Sequence, residues 1–398
     1  MPSPFEPDAL RATVEVLAAI DRPSASPGEA QAAEWIAEHL AALGCRVQVD
    51  EELAYTGYAR SLAGQTAVGA AGALLARSPL PNRRRLGGVI ALAAAAGIVE
   101  EVSNGPQVFR KLTMRRRATQ NVIGETGDPA ADRTLIVLAH HDAASTGRIF
   151  DQRAQRALAG RFPRAVERTD TSLPLWWPVV AGPALGAAGA VSGHRGLART
   201  GAVLALASLA AFVDIERSPT VPGANDNLTA VATLVAVATA LRASPVRGLR
   251  VLLVSCGAEE SLQGGIRAFA RRHFSDLDPA TTRVLNIDTV GSPRLVMLEG
   301  EGPFVMEDYA DPRWRDRVAA VAERCAIPLR RGLRARVSTD SVIPSRAGYP
   351  TATLMSLDET KAISNYHLMS DTAANVDYTT VADAARLVDA VARDLAEG

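Results

Sequence analysis

Apolar runs that end on a charged or imidazole side chain constrain this chain most. Thr134-Leu-Ile-Val-Leu-Ala139 runs into His140-His141-Asp142, Leu249–Cys256 leads to Glu259-Glu260, and Val284-Leu-Asn-Ile runs into Asp288. A short, near-continuous apolar run is a strand buried on both faces. Such runs alternate here with helical patterns at 228–242, 261–273, 312–326 and 380–396. Further strands are expected at 46–50, 120–123, 294–298 and 352–355. The expected class is therefore α/β, a mostly parallel central sheet sandwiched by helices. Ligands of such sheets gather outside the carboxyl ends of the strands. His140, Glu259 and Asp288 should meet at that edge.

The chain's 398 residues, 47% of them hydrophobic, suffice for one large domain or two modest ones. Lys plus Arg and Asp plus Glu each number 43, so no charge excess points to nucleic acid. The cysteines Cys45, Cys256 and Cys325 are far apart and form no CxxC, which argues against a disulfide framework and fits a reducing compartment. The first residues lack the basic and apolar regions of a signal peptide. The expected location is the cytoplasm, or a membrane with the catalytic domain on its cytoplasmic side.

Two segments, 58–118 and 151–220, interrupt the pattern with Ala, Gly and Leu between clusters of Arg. Their uncharged runs are 61–76, 86–99, 171–193 and 200–213, and they pair as hairpins around Arg83-Arg84-Arg85 and His194-Arg195. Only 171–193 exceeds the ~17 residues a bilayer span needs, and it carries Pro174, Pro178 and Pro183. The reading favours membrane contact through 61–99 and 171–213, with Trp176-Trp177 as an interfacial anchor, over a soluble helical cap. Arginines flanking the hairpins on the catalytic side outnumber those at the tips, which keeps the catalytic domain cytoplasmic. What remains, 1–57, 119–150 and 221–398, is expected to form the catalytic domain.

Taken singly, the polar pieces have ordinary structural roles open to them. His140-His141-Asp142 could be structural histidines near a turn, Asp226 an N-cap of the helix at 228–242, and Glu259-Glu260 one acidic pair among several. Together they supply imidazole nitrogen and carboxylate oxygen in one order, with His367 closing the set, as a pair of divalent ions requires. On an extended segment His140 and Asp142 face the same side, so Asp142 can orient the imidazole. One of Glu259 and Glu260 could bind metal while its neighbour takes a proton from water.

The same residues resemble the di-zinc exopeptidase family of bacterial leucyl aminopeptidase, aminopeptidase Y and glutamate carboxypeptidase, with glutaminyl cyclase and transferrin receptor as relatives. The likeness rests on Thr134–Asp142, Gly223-Ala-Asn-Asp-Asn227, Glu259-Glu260, Asn286-Ile-Asp288, Thr339-Asp340-Ser341, Gly348-Tyr-Pro350, Tyr366-His367 and Asp371-Thr372. It implies two Zn2+ ions, one among His140, Asp226 and Asp288 and the other among Asp226, Glu260 and His367. It further implies Glu259 as general base, Asp142 as its orienting support and a site that allows a cis Asp226–Asn227 bond. The implied activity is an aminopeptidase acting on short peptides. A carboxypeptidase or amidohydrolase on another small amide, a glutaminyl-cyclase-like enzyme, and a non-catalytic membrane scaffold with this fold are the alternatives. An Arg near the site, with Arg334, Arg336 and Arg346 as candidates, would favour a carboxylate-bearing substrate. The chain departs from the family in the long segment between His140 and Asp226 and in Asn225, Leu228 and Thr229 around the bridging motif.

Overall fold

The computed structural model describes residues 3–398, organised on one mixed sheet. Its strands are β1 (Arg46–Ala54), β2 (Arg117–Gly127), β3 (Thr134–His140), β4 (Arg250–Cys256), β5 (Thr282–Ile287), β6 (Arg294–Glu301), β7 (Glu307–Asp308), β8 (Arg330–Ala335) and β9 (Thr351–Leu357). The spatial order is β1-β2-β4-β3-β5-β9-β6-β7, with β8 against β6. The central neighbours β4, β3, β5 and β9 are parallel, as their continuous apolar runs require. Antiparallel pairs, β1–β2 and β2–β4 on one side and β9–β6 and β6–β7 on the other, flank them. Every residue of β3 is buried, whereas β1 leaves most of its side chains at least partly in water. Parallel pairing runs through the buried middle of the sheet, with one further parallel pair, β6–β8, toward its edge.

The helices are α1 (Pro7–Ala18), α2 (Pro27–Ala42), α3 (Ala59–Leu75), α4 (Pro81–Val102), α5 (Val108–Thr113), α6 (Arg153–Arg161), α7 (Pro163–Arg168), α8 (Trp177–Ser192), α9 (Arg195–Arg217), α10 (Thr229–Ala243), α11 (Gly264–His273), α12 (Pro312–Arg324), α13 (Val342–Arg346) and α14 (Tyr378–Glu397). α1, α2, α10, α12 and α14 bury one face of the sheet, with Leu10, Ile36, Val231, Val318 and Val388 against Leu135, Val137, Leu253 and Leu285. On the other face Ile266 and Phe269 of α11 meet Ile136, Leu138 and Val254. α2 starts where sequence says it should. Ser26 accepts a hydrogen bond from the Glu29 amide at 3.1 Å, and Pro27 fills the first helical position, where no amide is missed.

The two apolar segments form one body. α3, α4, α8 and α9 pack on one another through Gly and Ala, bringing backbones into near contact. A Cβ at Gly87 would lie 2.4 Å from the Ala76 nitrogen, and one at Gly201 2.5 Å from the Gly182 carbonyl oxygen. Leu62, Ile98, Val102 and Phe212 are buried in one apolar cluster, while other large side chains turn outward: Val191 is 90% exposed, Val89 66%, Leu92 61% and Val203 59%. The helices do not coincide with the uncharged runs. α4 and α9 take in the arginines before their runs and reach 22 and 23 residues. The run at 171–193 becomes helical only at Trp177, because a proline such as Pro178 is accommodated in a first turn. α9 is long and apolar enough to cross a bilayer by length and composition. The segment ending in α10 passes the same test, but 89% of it is buried as the central core helix.

Candidate active site

The parallel register brings the strand ends level. His140 stands opposite Cys256, Leu138 opposite Asn286, and Ile287 opposite Leu354. From that edge rise His140 at the end of β3, Glu259 and Glu260 in the turn after β4, and Asp288 directly after β5. Asp226 lies in the segment Ala224–Leu228 before α10, and His367 in the loop following β9. His140, Asp226 and Asp288 form one group whose ligand atoms lie within 4.8 Å of one another; Asp226, Glu260 and His367 form a second. Asp226 belongs to both. One of its oxygens is 3.4 Å from His140 Nε2 and the other 3.3 Å from His367 Nε2. Glu260 Oε1 is 3.3 Å from His367 Nε2, and Glu259 Oε2 is 3.9 Å from His140 Nε2.

The loops are held by a polar lattice. Asp142 accepts hydrogen bonds from the amides of Glu259 and Glu260, each at 3.0 Å, and from Ser24 Oγ at 2.6 Å. It also stands 3.4 Å from His140 Nδ1, so one carboxylate aligns a ligating imidazole and the turn with both glutamates. His141 points away onto Ser255 Oγ at 2.9 Å, and burial lowers its pKa to about 4, leaving it neutral. The Asp226–Asn227 peptide is cis. Asp371 accepts from the amides of Asn225 and Asp226 at 2.7 and 3.1 Å. Asn225 and Asn227 reach across to the segment after β5: Asn225 Oδ1 accepts from Gly291 and Asn227 Oδ1 from Thr289, at 2.7 and 2.9 Å. Gly223 has φ +56°, and a Cβ there would meet the Asp226 carbonyl at 2.5 Å.

The electrostatics test whether this set suits metal. Burial raises the carboxyl pKa of Asp288 to about 7, with Asp226 and Glu260 adding repulsion against the pull of His140. Burial likewise holds Glu259 well above the usual carboxylate range, with Asp340, Glu260 and Asp288 adding to it and His140 opposing. Burial disfavours a charge on His367, yet Glu260 and Asp226 raise its pKa to about 10. Buried carboxylates facing one another need a cation or a proton. Two imidazole nitrogens and four carboxylates converging on a shared aspartate fit divalent ions with borderline ligand preference.

The comparisons with known proteins agree with this geometry. The model of peptidase family M28 matches residues 208–392, a span holding Asp226, Glu259, Glu260, Asp288 and His367. No curated protein matches the sequence. Solved structures share this fold at low identity. A glutaminyl cyclase from Bacteroides thetaiotaomicron, bound to N-acetylhistamine, is 14% identical with a TM-score of 0.59, covering 99% of each chain. A zinc aminopeptidase from Bacillus subtilis is 15% identical with a TM-score of 0.58, covering 99% of this chain and 96% of its own. A leucine aminopeptidase precursor from Bacteroides thetaiotaomicron is 13% identical with a TM-score of 0.58, covering 99% and 98%.

Four residues that hold the site together had no part in it assigned from sequence. Arg22 is fully buried and donates to the carbonyls of His141, Pro222 and Gly223 at 2.9, 2.7 and 2.8 Å, binding the His140 and Asp226 loops together. Glu29 accepts from the Ala258 amide at 2.6 Å, beside the turn bearing Glu259 and Glu260. Asp340 is buried near His140 and Asp288 with neither oxygen hydrogen-bonded, and burial raises its pKa to about 8. Arg110 pairs with Glu101 and donates to the Ser261 carbonyl at 2.6 Å, which fastens the helical body to the turn bearing Glu259. Of these only Asp340 lay in a motif, and the others sat among the plain helix-rich stretches.

Proposed function

We propose that the chain is a zinc-dependent aminopeptidase releasing N-terminal residues from short peptides or small amides. The carrying observation is Asp226, with one oxygen toward His140 and the other toward His367 and with Glu259 alongside. His140, Asp226 and Asp288 would hold one ion and Asp226, Glu260 and His367 a second, supplying Lewis acidity toward the scissile carbonyl and acidity to water. The remaining steps belong to the chain. Glu259 takes a proton from the attacking water as the C–O bond forms, and returns it to the nitrogen as the C–N bond breaks. Asp142 keeps His140 and the Glu259 amide in register. Gln263 donates to Glu259 Oε1 at 2.8 Å, leaving the other oxygen toward His140.

A carboxypeptidase would need a cation for the substrate carboxylate. Arg334 is paired with Asp308 at 2.7 Å, Arg346 with Glu307 at 2.6 Å, and Arg336 lies over the Trp177 ring at 5.5 Å. Among the described residues, the cavity bordering Glu259 and His367 has neither Arg nor Lys in its wall. Zinc-loaded protein should cleave an unblocked leucyl anilide and leave its N-acetyl form intact. Equal cleavage of both would replace the aminopeptidase with a general amidohydrolase.

We further infer that the α3, α4, α8 and α9 body contacts a lipid bilayer, with the catalytic domain on the cytoplasmic side. Away from the buried cluster of Leu62, Ile98, Val102 and Phe212, its helices meet through Gly and Ala and present Val and Leu outward, which matches how helices pack in lipid. Residues 53–99 and 171–213 contain no Asp or Glu. Arg77, Arg195 and Arg199 border one depression at the tip, placed for anionic headgroups. The protein should float with phosphatidylglycerol-containing vesicles, and Leu92→Glu with Val89→Glu should leave it in the soluble fraction. Unchanged flotation of that variant would remove the bilayer reading.

A further inference from the structure

A chamber of about 390 Å³ connects the catalytic turn to the base of the helical body. Glu259, Glu260 and His367 stand at one end. The wall is Tyr58, Trp176, Val179, Phe212 and Ile215, with Phe150 edge-on to His367 at 4.6 Å. Tyr58, Trp176 and Phe212 pack as an aromatic cluster, with centroids 6.0–6.4 Å apart. Most of the wall thus comes from the inserted helices rather than from the sheet. The volume falls in the ~300–1,000 Å³ range of sites that enclose whole drug-sized ligands. A single leucine side chain leaves much of it unfilled.

We propose that this chamber takes an unbranched apolar side chain longer than leucine's on the residue being released, so that the helical insertion sets substrate choice. The proposal rests on the aminopeptidase reading and names its substrate class. Walls of this kind disfavour a charged side chain, which would lose its hydration without a partner. They favour each further methylene by about three- to fourfold in kcat/KM, until the chamber is full. The glutamates at its end fix which part of the substrate enters. The apolar chain lies along the aromatic wall, and the amide stays beside Glu259.

The test uses zinc-loaded full-length protein and the p-nitroanilides of alanine, norvaline, norleucine, 2-aminooctanoic acid, 2-aminodecanoic acid and aspartic acid. The expected result is a kcat/KM that climbs from alanine to 2-aminooctanoic acid by 100-fold or more, with aspartate lowest. In Ala211→Trp, which fills the wall contributed by α9, that climb should collapse. If Ala211→Trp misfolds, Leu204→Ala, which enlarges the chamber, should move the optimum to a longer chain. A second readout needs no turnover: calorimetric titration of the protein with n-alkylamines from butyl to decyl. Binding should tighten with chain length and weaken in Ala211→Trp. Turnover with a flat or falling chain-length profile would overturn the chamber assignment and leave the peptidase standing. Chain-length-dependent amine binding without turnover of any unblocked anilide would do the reverse.

Discussion

The sheet edge and the helical body of this chain are built by opposite rules. At the sheet edge buried polar side chains tie the loops together, although Asp340 and one ring nitrogen each of His141 and His367 carry no hydrogen bond. Asp142 serves two amides, a hydroxyl and an imidazole, and Arg22 serves three carbonyls of two different loops. In the helical body the helices meet through Gly and Ala, and Val and Leu face out. A buried polar group left without a partner costs free energy, so the first region tolerates few residue types at each position. The second asks only for small residues inside and apolar ones outside, which many sequences satisfy. Chemistry is therefore written in identities at the sheet edge, and in composition in the helices.

Substitutions can break that contrast, and their effects should fall in a definite order. Glu259→Gln keeps the shape of the turn and removes the base, so kcat should drop by about 10²–10⁴-fold, read with an unblocked anilide. Arg22→Ala leaves buried carbonyls on the His140 and Asp226 loops unsatisfied. It should cost about 3 kcal/mol in urea denaturation of the metal-loaded protein, from ~1–3 kcal/mol per lost buried bond, and weaken metal retention. Gly201→Val places a Cβ within 2.5 Å of the Gly182 carbonyl and should cost about 1–3 kcal/mol by overpacking. That loss should appear in the thermal unfolding of the helical body, with metal content retained. If Gly201→Val releases metal as fully as Arg22→Ala does, the two regions are not separately built.

The last comparison is a pH slope. Burial raises the Glu301 pKa from 4.5 to about 8, while Tyr309 and Thr339 hydrogen bonds oppose the rise. The folded state then binds a proton that the unfolded state releases. This contribution is full below pH 4.5 and is lost as pH rises toward 8. The slope reaches at most about 1.4 kcal/mol per pH unit. Glu301→Gln should flatten the stability profile over that window, and an unchanged profile would place the proton on another group.

The difference between the regions also accounts for what could be read from sequence. Buried strands ending in His140, Glu259 and Asp288 were legible because a polar residue closing a buried apolar run must find a partner or a metal. His367 and Asp226 were legible from their motifs, and Asp142 from its alternation with His140. Arg22, Glu29 and Arg110 were not, because each acts through backbone carbonyls or amides brought close only by the fold. Antiparallel flanks were hidden because β1 and β2 read as ordinary short strands and pairing direction leaves little trace in them. The helices were visible as apolar runs, yet α4 and α9 were underestimated because arginine, a good helix former, extends them beyond the uncharged stretch, and α8 is shorter than its run.

The most direct test of the two-ion site is metal content measured side by side in wild type, Glu259→Gln and Asp226→Ala after zinc loading and desalting. The account predicts two zinc per chain in wild type and in Glu259→Gln, and loss from both positions in Asp226→Ala. Equal metal loss in the two variants, or a single ion unaffected by Asp226→Ala, would contradict the division between a base and a shared ligand.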